Sequence, residues 1–198
     1  MKRIMLSIAS AAACLLLPQL ACAQVSHEYF TVKITGQKQG AFKTEIVGPA
    51  GAGANGATFD GIRFSSSVDS PRDPASGLAT GKRRFSPIVI TKAWGVASAN
   101  LMTAVANNEN LTTVKIEFYK QATGPGAGAG AGKEVAYQTL TLTSANLVSL
   151  KRYIDTSESG NPADPRALED LSLTFQKIEL TELPGGATAS DSWSASSQ

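Results

Sequence analysis

The feature that most constrains the fold is a strand–helix–strand stretch at residues 85–119. Its start is apolar and β-branched, which is typical of a strand, and residues 114–119 alternate apolar and polar side chains, which predicts a half-buried strand. Between them, three apolar residues recur at the i, i+3, i+4 spacing of one helix face: Leu101, Ala104 and Val105. This spacing predicts one short helix at residues 98–106, with the Ser98 hydroxyl as its N-cap.

Short alternating segments elsewhere predict further strands and no second helix. These segments are residues 30–35, 42–47, 62–68, 135–143, 145–153 and 171–180. For residues 145–153 a strand is favoured over a helix. The last segment changes phase after Phe175, and because a slip of one residue inverts every side chain, we expect a bulge near residues 176–177. The pattern predicts a mainly β fold, a small antiparallel β-barrel of two sheets with one flanking α-helix.

Glycine- and proline-rich stretches predict the connections between these strands. The predicted loops are residues 48–57, 69–81, 123–132 and 155–166, of which the first and third are Gly-Ala tracts. Such composition behaves as flexible coil. The Ser-, Ala- and Gly-rich residues 184–198 are predicted to be a disordered tail, so the barrel domain spans residues 24–183.

The N-terminal residues 1–23 have the pattern of a secretory signal peptide. A basic start at Lys2 and Arg3 precedes a mostly apolar stretch, and a small-x-small pattern predicts cleavage before Gln24. Lipidation of Cys22 stays open as a second interpretation. The apolar stretch is too short to span a bilayer comfortably. We therefore expect a periplasmic or secreted protein without stable membrane insertion.

Removal of the signal peptide changes the composition that matters. Both cysteines, Cys14 and Cys22, lie inside it, so the predicted mature chain forms no disulfide. Loss of Lys2 and Arg3 lowers the 18 basic residues to 16, equal to the 16 acidic ones. A neutral chain lacks the electrostatic footprint of a nucleic-acid-binding protein.

Catalytic chemistry has few candidates in this sequence. His27 is the single histidine and lies next to the predicted mature N-terminus, which argues against a histidine triad or a zinc site. The glycine tracts lack the GK[ST] ending of a phosphate loop. The acidic residues considered as a catalytic pair are Asp69, Asp73, Glu158, Asp164, Glu169 and Asp170. We place all six in loops or at strand edges, where carboxylates are solvated. No catalytic residue, cofactor site or metal site is expected, and an enzyme is the least favoured function.

A basic cluster at residues 82–84 is the main charge feature. It consists of Lys82, Arg83 and Arg84, with Arg72 and Asp73 nearby. Two interpretations remain open. The cluster is either a solvated strand entry, or it pairs with the acidic loop residues Asp69 and Asp73 of the same or a neighbouring subunit. In the second case Arg72, Asp73, Lys82, Arg83 and Arg84 are candidate inter-subunit contacts.

Several short motifs follow one another in the order found in a known family. They are Ser70-Pro71-Arg72-Asp73, Thr80-Gly81-Lys82-Arg83, Ile90-Thr91-Lys92, Trp94-Gly95, Val114-Lys115-Ile116-Glu117-Phe118, Tyr137-Gln138-Thr139 and Leu168-Glu169-Asp170-Leu171-Ser172-Leu173-Thr174-Phe175. With these motifs the chain resembles the Hcp family, the haemolysin-coregulated proteins that form the tube of type VI secretion. The resemblance covers residues 30–180.

The resemblance implies a structural, non-catalytic protein that self-associates. In the family a two-sheet β-barrel with one helix forms homo-hexameric rings, which stack into a tube and carry small effector proteins in the lumen. The family helix lines the ring interior, so Asn100, Thr103 and Asn107 are candidate lumen residues.

The predicted signal peptide supports a second function. Tube subunits of the family are assembled in the cytoplasm and lack cleavable signals. The alternative is therefore an exported, monomeric Hcp-like binding module in the periplasm or outside the cell, which works outside a type VI machine.

Overall fold

The computed structural model describes residues 28–44, 58–121, 134–155, 166–183 and 185–192. The strands in this part of the chain are β1 Tyr29–Gly36, β2 Gly40–Ala41, β3 Thr58–Gly61, β4 Arg63–Ser65, β5 Val68–Asp69, β6 Arg84–Phe85, β7 Ile88–Ala93, β8 Asn110–Gln121, β9 Glu134–Asp155, β10 Arg166–Thr174, β11 Lys177–Glu182 and β12 Thr188–Ser192, and the helix is α1 Ala97–Ala106. The predicted signal peptide, both Gly-Ala tracts and most of the predicted loop at 155–166 lie outside the described residues.

Antiparallel pairing joins ten of the strands into one sheet. Its main path runs β2-β1-β8-β9-β10-β7-β4, while β3 pairs with β1, β11 with β9, and β12 with β11. Strands β5 and β6 form a separate two-stranded ribbon. No strand pairing among the described residues closes the path into a ring of hydrogen bonds. The predicted mainly β fold with one helix is confirmed.

The long strand β9 connects the two halves of the sheet. One edge pairs with β8 from Glu134 to Asn146, and the other pairs first with β11 and then with β10. The change of partner falls at Ser144, whose φ of 51° lies in the left-handed region that non-glycine residues seldom adopt. The strand predicted at 145–153 is confirmed as part of β9. The bulge expected near residues 176–177 is instead a break between β10 and β11, because the chain moves from one stretch of β9 to the next.

Three predicted strands are shorter than expected, each for a local reason. The segment 42–47 is not a strand over its described residues: pairing with β1 ends at Ala41, and Phe42 turns into the core at 1% exposure. The segment 62–68 is divided, because β4 pairs with β7 whereas β5 pairs with β6. The segment 85–91 is interrupted between β6 and β7 at Pro87, which has no N–H to donate to a ladder.

The core is a continuous cluster of aliphatic and aromatic side chains from β1, β7, β8, β9 and β10 and from one face of α1. Leu101 and Ala104 of α1 are buried in it, as the helical spacing predicted. Gly61 is required beside Phe30, because a Cβ at this position would lie 1.9 Å from the phenyl ring. Packing in the core therefore fixes the position of α1 on the sheet and the position of β1 beside β3.

The predicted N-cap of the helix is wrong. The helix begins one residue earlier, after Val96, and has no side-chain cap hydrogen bond. The Ser98 Oγ accepts a hydrogen bond from the Gly95 N–H at 3.1 Å and donates one to Glu169 Oε1 at 2.7 Å. A hydrogen bond to a carboxylate is stronger than one between neutral groups. The bond from Ser98 to Glu169 therefore anchors the helix to the sheet.

The prediction of a disordered tail at 184–198 is wrong for its central residues. Thr188–Ser192 form β12, which pairs with β11 over five positions. Composition did not predict this strand, because its residues are small and have low hydrophobicity. The strand is held instead by pairing with the exposed edge of β11. No helix in the part of the chain that the structure describes is long and apolar enough to cross a membrane.

Candidate functional site

Helix α1 and its C-cap carry the three residues proposed for a channel lining, and these residues differ in environment. Thr103 and Asn107 are exposed, and the Thr103 hydroxyl donates to the Ala99 carbonyl at 3.0 Å. Asn100 is half-buried and exchanges two hydrogen bonds with Gln39: Asn100 Nδ2 donates to Gln39 Oε1 at 2.9 Å, and Gln39 Nε2 donates to the Asn100 carbonyl at 3.1 Å. Thr103 and Asn107 thus remain accessible, while Asn100 fastens the helix to the β1–β2 turn.

Glu109, at 3% exposure, extends this connection. Its Oε1 accepts hydrogen bonds from the backbone N–H groups of Lys38 and Gln39 at 2.7 and 2.8 Å, and its Oε2 accepts one from Gln39 Nε2 at 2.7 Å. Burial raises the pKa of this carboxyl, but the three hydrogen bonds stabilise the carboxylate more strongly and leave the pKa below its ordinary value. The turn before β2 is therefore fixed relative to α1 by one buried carboxylate.

The loop before the basic cluster is exposed but internally braced. Asp73 Oδ1 accepts hydrogen bonds from the Ala75 and Ser76 N–H groups at 2.9 and 2.7 Å and from the Ser76 hydroxyl at 3.0 Å. The bonds from Ser76, with that from Ala75, lower the pKa of Asp73. Arg72 Nη1 donates to the Gly77 carbonyl at 3.2 Å. This loop presents its side chains at the surface in a defined shape, held by Asp73.

The residues of the basic cluster differ in their surroundings within the chain. Arg83 forms an ion pair with Asp191 of β12, and Arg84 lies opposite Asp69 in the β5–β6 ribbon. Lys82 is exposed. Of the two interpretations left open by the sequence, pairing within the chain is thus realised for Arg83, although with an aspartate of the tail strand rather than with Asp69 or Asp73.

The expectation that all six candidate carboxylates are solvated is wrong for Glu169. It lies inside β10 with a fully buried side chain, and its Oε1 is 2.7 Å from the Nζ of Lys92, which is only 2% exposed. Its Oε2 is 3.5 Å from Arg152 Nε, and that guanidinium lies 4.1 Å from the ring centroid of Trp94. We call Lys92, Glu169, Ser98 and Arg152 the buried ion cluster.

Asp170, the neighbour of Glu169, is also in the strand rather than at its edge. Its Oδ1 accepts hydrogen bonds from the Thr91 hydroxyl at 2.7 Å and the Tyr153 hydroxyl at 3.0 Å. Burial, reinforced by the bond to Asp170, raises the pKa of Tyr153. Asp69 is exposed and Asp73 braces its loop, while Glu158 and Asp164 lie outside the described residues. The six carboxylates therefore do not form a shared site among the residues described.

Sequence reasoning missed the buried ion cluster, although a signal was present. Lys92 and Glu169 each occupy an inward-facing position in an apolar strand, two residues from Ile90 and Leu171. Opposite charges at inward positions of two neighbouring strands indicate a buried pair. The groups of His, Cys, Asp and Glu in the described residues include none that could hold a metal ion.

Comparison with known proteins shows which family this chain belongs to. The family model described as "Type VI secretion system effector, Hcp" matches residues 32–181. The chain belongs to the Hcp family. The match includes α1, the basic cluster and both halves of the buried ion cluster, and it ends within β11.

Individual relatives and solved structures agree with this assignment. The "Major exported protein" of Pseudomonas aeruginosa is 34% identical over 167 residues, which cover 82% of this chain and 93% of that protein. The solved structure of the secreted protein Hcp3 from the same species is 27% identical with a TM-score of 0.64, and the match covers 84% of this chain and 99% of Hcp3. The Hcp1 protein of E. coli EAEC 042 shares the fold, with 21% identity, a TM-score of 0.67 and coverage of 83% and 98%.

Proposed function

We propose that this Hcp-family chain is a non-catalytic structural subunit that self-associates into hexameric rings, which stack and carry small effector proteins. The observation that carries the proposal is the family match over residues 32–181, because it spans nearly the whole described fold. Closed rings suit such a chain, since symmetric contacts cover strand edges that would otherwise be left unpaired.

In this proposal the helix faces the channel. Thr103 and Asn107 offer polar, uncharged groups to the lumen, and Asn100 holds the helix in place through Gln39. The braced loop and basic cluster supply inter-subunit contacts through Arg72, Asp73, Lys82, Arg83 and Arg84. Arg84 is the most suitable of these to test, because it is exposed and its strand, β6, has only two residues. A substitution there therefore disturbs little of the fold.

We further propose that the protein acts after export, in the periplasm or outside the cell. The relative from Pseudomonas aeruginosa is named as an exported protein, and the N-terminal residues of this chain have the pattern of a secretory signal. Mass spectrometry of the exported protein tests this localisation, and the expected N-terminus is Gln24. An unprocessed chain retained in the cytoplasm would contradict it.

The test of assembly is the particle mass of the purified chain. We expect light scattering after size-exclusion chromatography to give six subunits, and negative-stain micrographs to show annular particles. Arg84→Glu should shift the mass towards the monomer, whereas Lys33→Glu, a reversal at an exposed position of β1, should leave the ring intact. A monomer of the unmodified chain at micromolar concentration would overturn the proposal.

One observation favours a second function, that of an exported monomeric binding module. A cavity of about 440 Å³ lies between the β5–β6 ribbon and β11–β12, within the range of about 300–1,000 Å³ that is common for small-molecule sites. A thermal-shift screen of apolar small molecules against the monomeric chain tests this candidate. Stabilisation by one compound, together with an absence of rings, would favour it over the structural subunit.

A further inference from the structure

A second cavity, of about 310 Å³, lies where β3, the end of β7 and the start of α1 meet. Its apolar walls are formed by Phe59, Ile62, Trp94 and Val96, and we call it the Trp94 cavity. The side chains of Ile62, Trp94 and Val96 are between 38% and 44% exposed. Large apolar side chains that remain exposed around a concave surface mark a site for another group.

The wall formed by Trp94 is held in place by its own chain. The indole Nε1 donates a hydrogen bond to the Leu168 carbonyl at 2.7 Å, and the Arg152 guanidinium lies 4.1 Å from the ring centroid. Thr44 Oγ1, which also lines the cavity, is buried without a hydrogen-bond partner in the part of the chain that the structure describes. Buried hydroxyl groups normally have such a partner, and a group that fills the cavity can supply it.

The charges around the Trp94 cavity favour a cationic neighbour. Lys92 and Asp60 both line it, and the Lys92 ammonium is paired with Glu169. Asp60 therefore leaves the site with a net negative charge. Burial, reinforced by the negative charge of Glu134, raises the pKa of Asp60, whereas a cation beside this carboxyl would lower it. An apolar group with a positive charge next to it fits these surroundings.

The loop between β5 and β6 presents such a group at residues 76–79, which we call the Leu78 tip. Leu78 is 69% exposed, the highest value among the large hydrophobic side chains that the structure describes. The tip is braced, because the Leu78 carbonyl accepts a hydrogen bond from the Asp73 N–H at 2.9 Å and Gly77 takes a left-handed φ of 69°. Arg72 supplies the positive charge beside the tip, since its Nη1 donates to the Gly77 carbonyl at 3.2 Å.

The loop and the Trp94 cavity are attached to opposite ends of β7. The loop leads into β6, which ends three residues before β7 begins at Ile88, whereas Trp94 directly follows the last residue of β7. Six residues of strand span about 20 Å. A contact between the tip of one copy and the cavity of another therefore joins two different surfaces. Such a head-to-tail contact closes into a ring when its rotation allows.

We propose that the Leu78 tip of one copy inserts into the Trp94 cavity of the next copy around the ring, with Arg72 facing Asp60. The occupant is a second copy because this chain itself carries an apolar tip of defined shape with a charge opposite to that of the cavity. The inference rests on the proposed ring and adds the contact that joins neighbouring subunits. It assigns a partner to Thr44, Asp60 and Trp94, which lie outside the basic cluster.

Disulfide trapping in the full chain tests this contact. The background Cys14→Ser/Cys22→Ser removes both natural cysteines. On mild oxidation, the double variant Leu78→Cys/Val96→Cys should form a ladder of covalent species that ends at six chains on a denaturing gel. The matched control Leu78→Cys/Val148→Cys places the second cysteine at another exposed apolar position, on β9, and should form no ladder.

The particle mass, measured by light scattering on the same samples, separates the contact from the ring. No ladder from particles of six subunits would mean that the cavity takes another occupant, which would overturn the contact and leave the ring standing. A monomeric mass of the unmodified chain would overturn both. A ladder that continues beyond six would place the contact between stacked rings, and dimers from Leu78→Cys alone would show that two tips meet. Either result would overturn the proposal as stated.

Substitutions at the tip give a second readout. Leu78→Asp should raise the concentration needed for assembly at least tenfold, whereas Val148→Asp on β9 should leave it unchanged. Arg72→Asp should also weaken assembly, and the double variant Arg72→Asp/Asp60→Arg should restore it, because the charges are exchanged across the contact. Rings of unchanged stability in Leu78→Asp, or no rescue by the exchanged charges, would overturn the proposal.

Discussion

The two ends of the β7–β10 strand pair are held in opposite ways. At one end Lys92 and Glu169 form a buried ion pair that also binds the helix through Ser98. Towards the other end Phe175 contacts Phe85 beside the cavity between the β5–β6 ribbon and β11–β12. A buried charge requires one partner in one geometry, whereas an apolar wall accepts any surface of suitable shape. The charged end therefore specifies the position of the helix on the sheet, whereas the apolar end packs by shape alone.

The largest effect is expected at the charged end. Glu169→Leu leaves Lys92 buried without its partner and should lower the free energy of unfolding by about 3–5 kcal/mol, measured by urea denaturation. The double variant Lys92→Met/Glu169→Leu should recover most of this loss, because neither charge is then buried. Glu179→Leu is the matched control: its ion pair with Lys177 is about 39–46% exposed, and its loss should change stability by less than about 1 kcal/mol. Equal losses in Glu169→Leu and Glu179→Leu would remove the distinction between buried and exposed charge.

A smaller effect is expected at the second buried carboxylate, Glu109. Glu109→Gln should lower stability by about 1–3 kcal/mol at pH 7, because a carboxylate that accepts three hydrogen bonds is replaced by a neutral amide. The folded pKa of Glu109 is below its ordinary value of 4.5. The stabilisation is therefore complete above pH 4.5 and is lost as the pH falls through the folded pKa.

The pH dependence supplies the control for Glu109. Urea denaturation across the acid range should show the difference between the unmodified chain and Glu109→Gln becoming smaller as the pH falls. Glu117→Gln, which removes the partly exposed pair with Lys115, should have little effect at any pH. A difference for Glu109→Gln that stays constant into strong acid would contradict the assigned role of the carboxylate.

The smallest effect is expected at the ion pair between Arg83 and Asp191, whose aspartate lines the cavity between the β5–β6 ribbon and β11–β12. Arg83→Ala removes the partly exposed pair with Asp191 and should change global stability by less than about 1 kcal/mol. Its consequence should be local: hydrogen exchange of the β12 amides should become faster while β9 and β10 keep their protection. Unchanged exchange in β12 would show that the ladder with β11 is sufficient without the ion pair.

Several parts of the fold could be predicted because their signals are local. The helix face of Leu101 and Ala104 and the alternation in β1 and β8 each depend on a few neighbouring residues. The short motifs, taken in order, were sufficient to recognise the family. Other parts failed because a distant partner decides them. β12 forms because it can pair with the free edge of β11. The Ser98 hydroxyl donates to Glu169 instead of capping the helix, because the carboxylate lies within hydrogen-bond distance.

The sequence by itself determined a mainly β domain with one helix and membership in the Hcp family, because periodicity and motif order are properties of the chain. Only the tertiary structure decided that Glu169 is a buried ion partner rather than a solvated carboxylate, and that residues 188–192 add a strand beside an apolar cavity. The physical reason is that burial and edge pairing depend on which distant strands meet. A charged residue or a short polar segment has the same local sequence pattern whether or not the fold places a partner beside it.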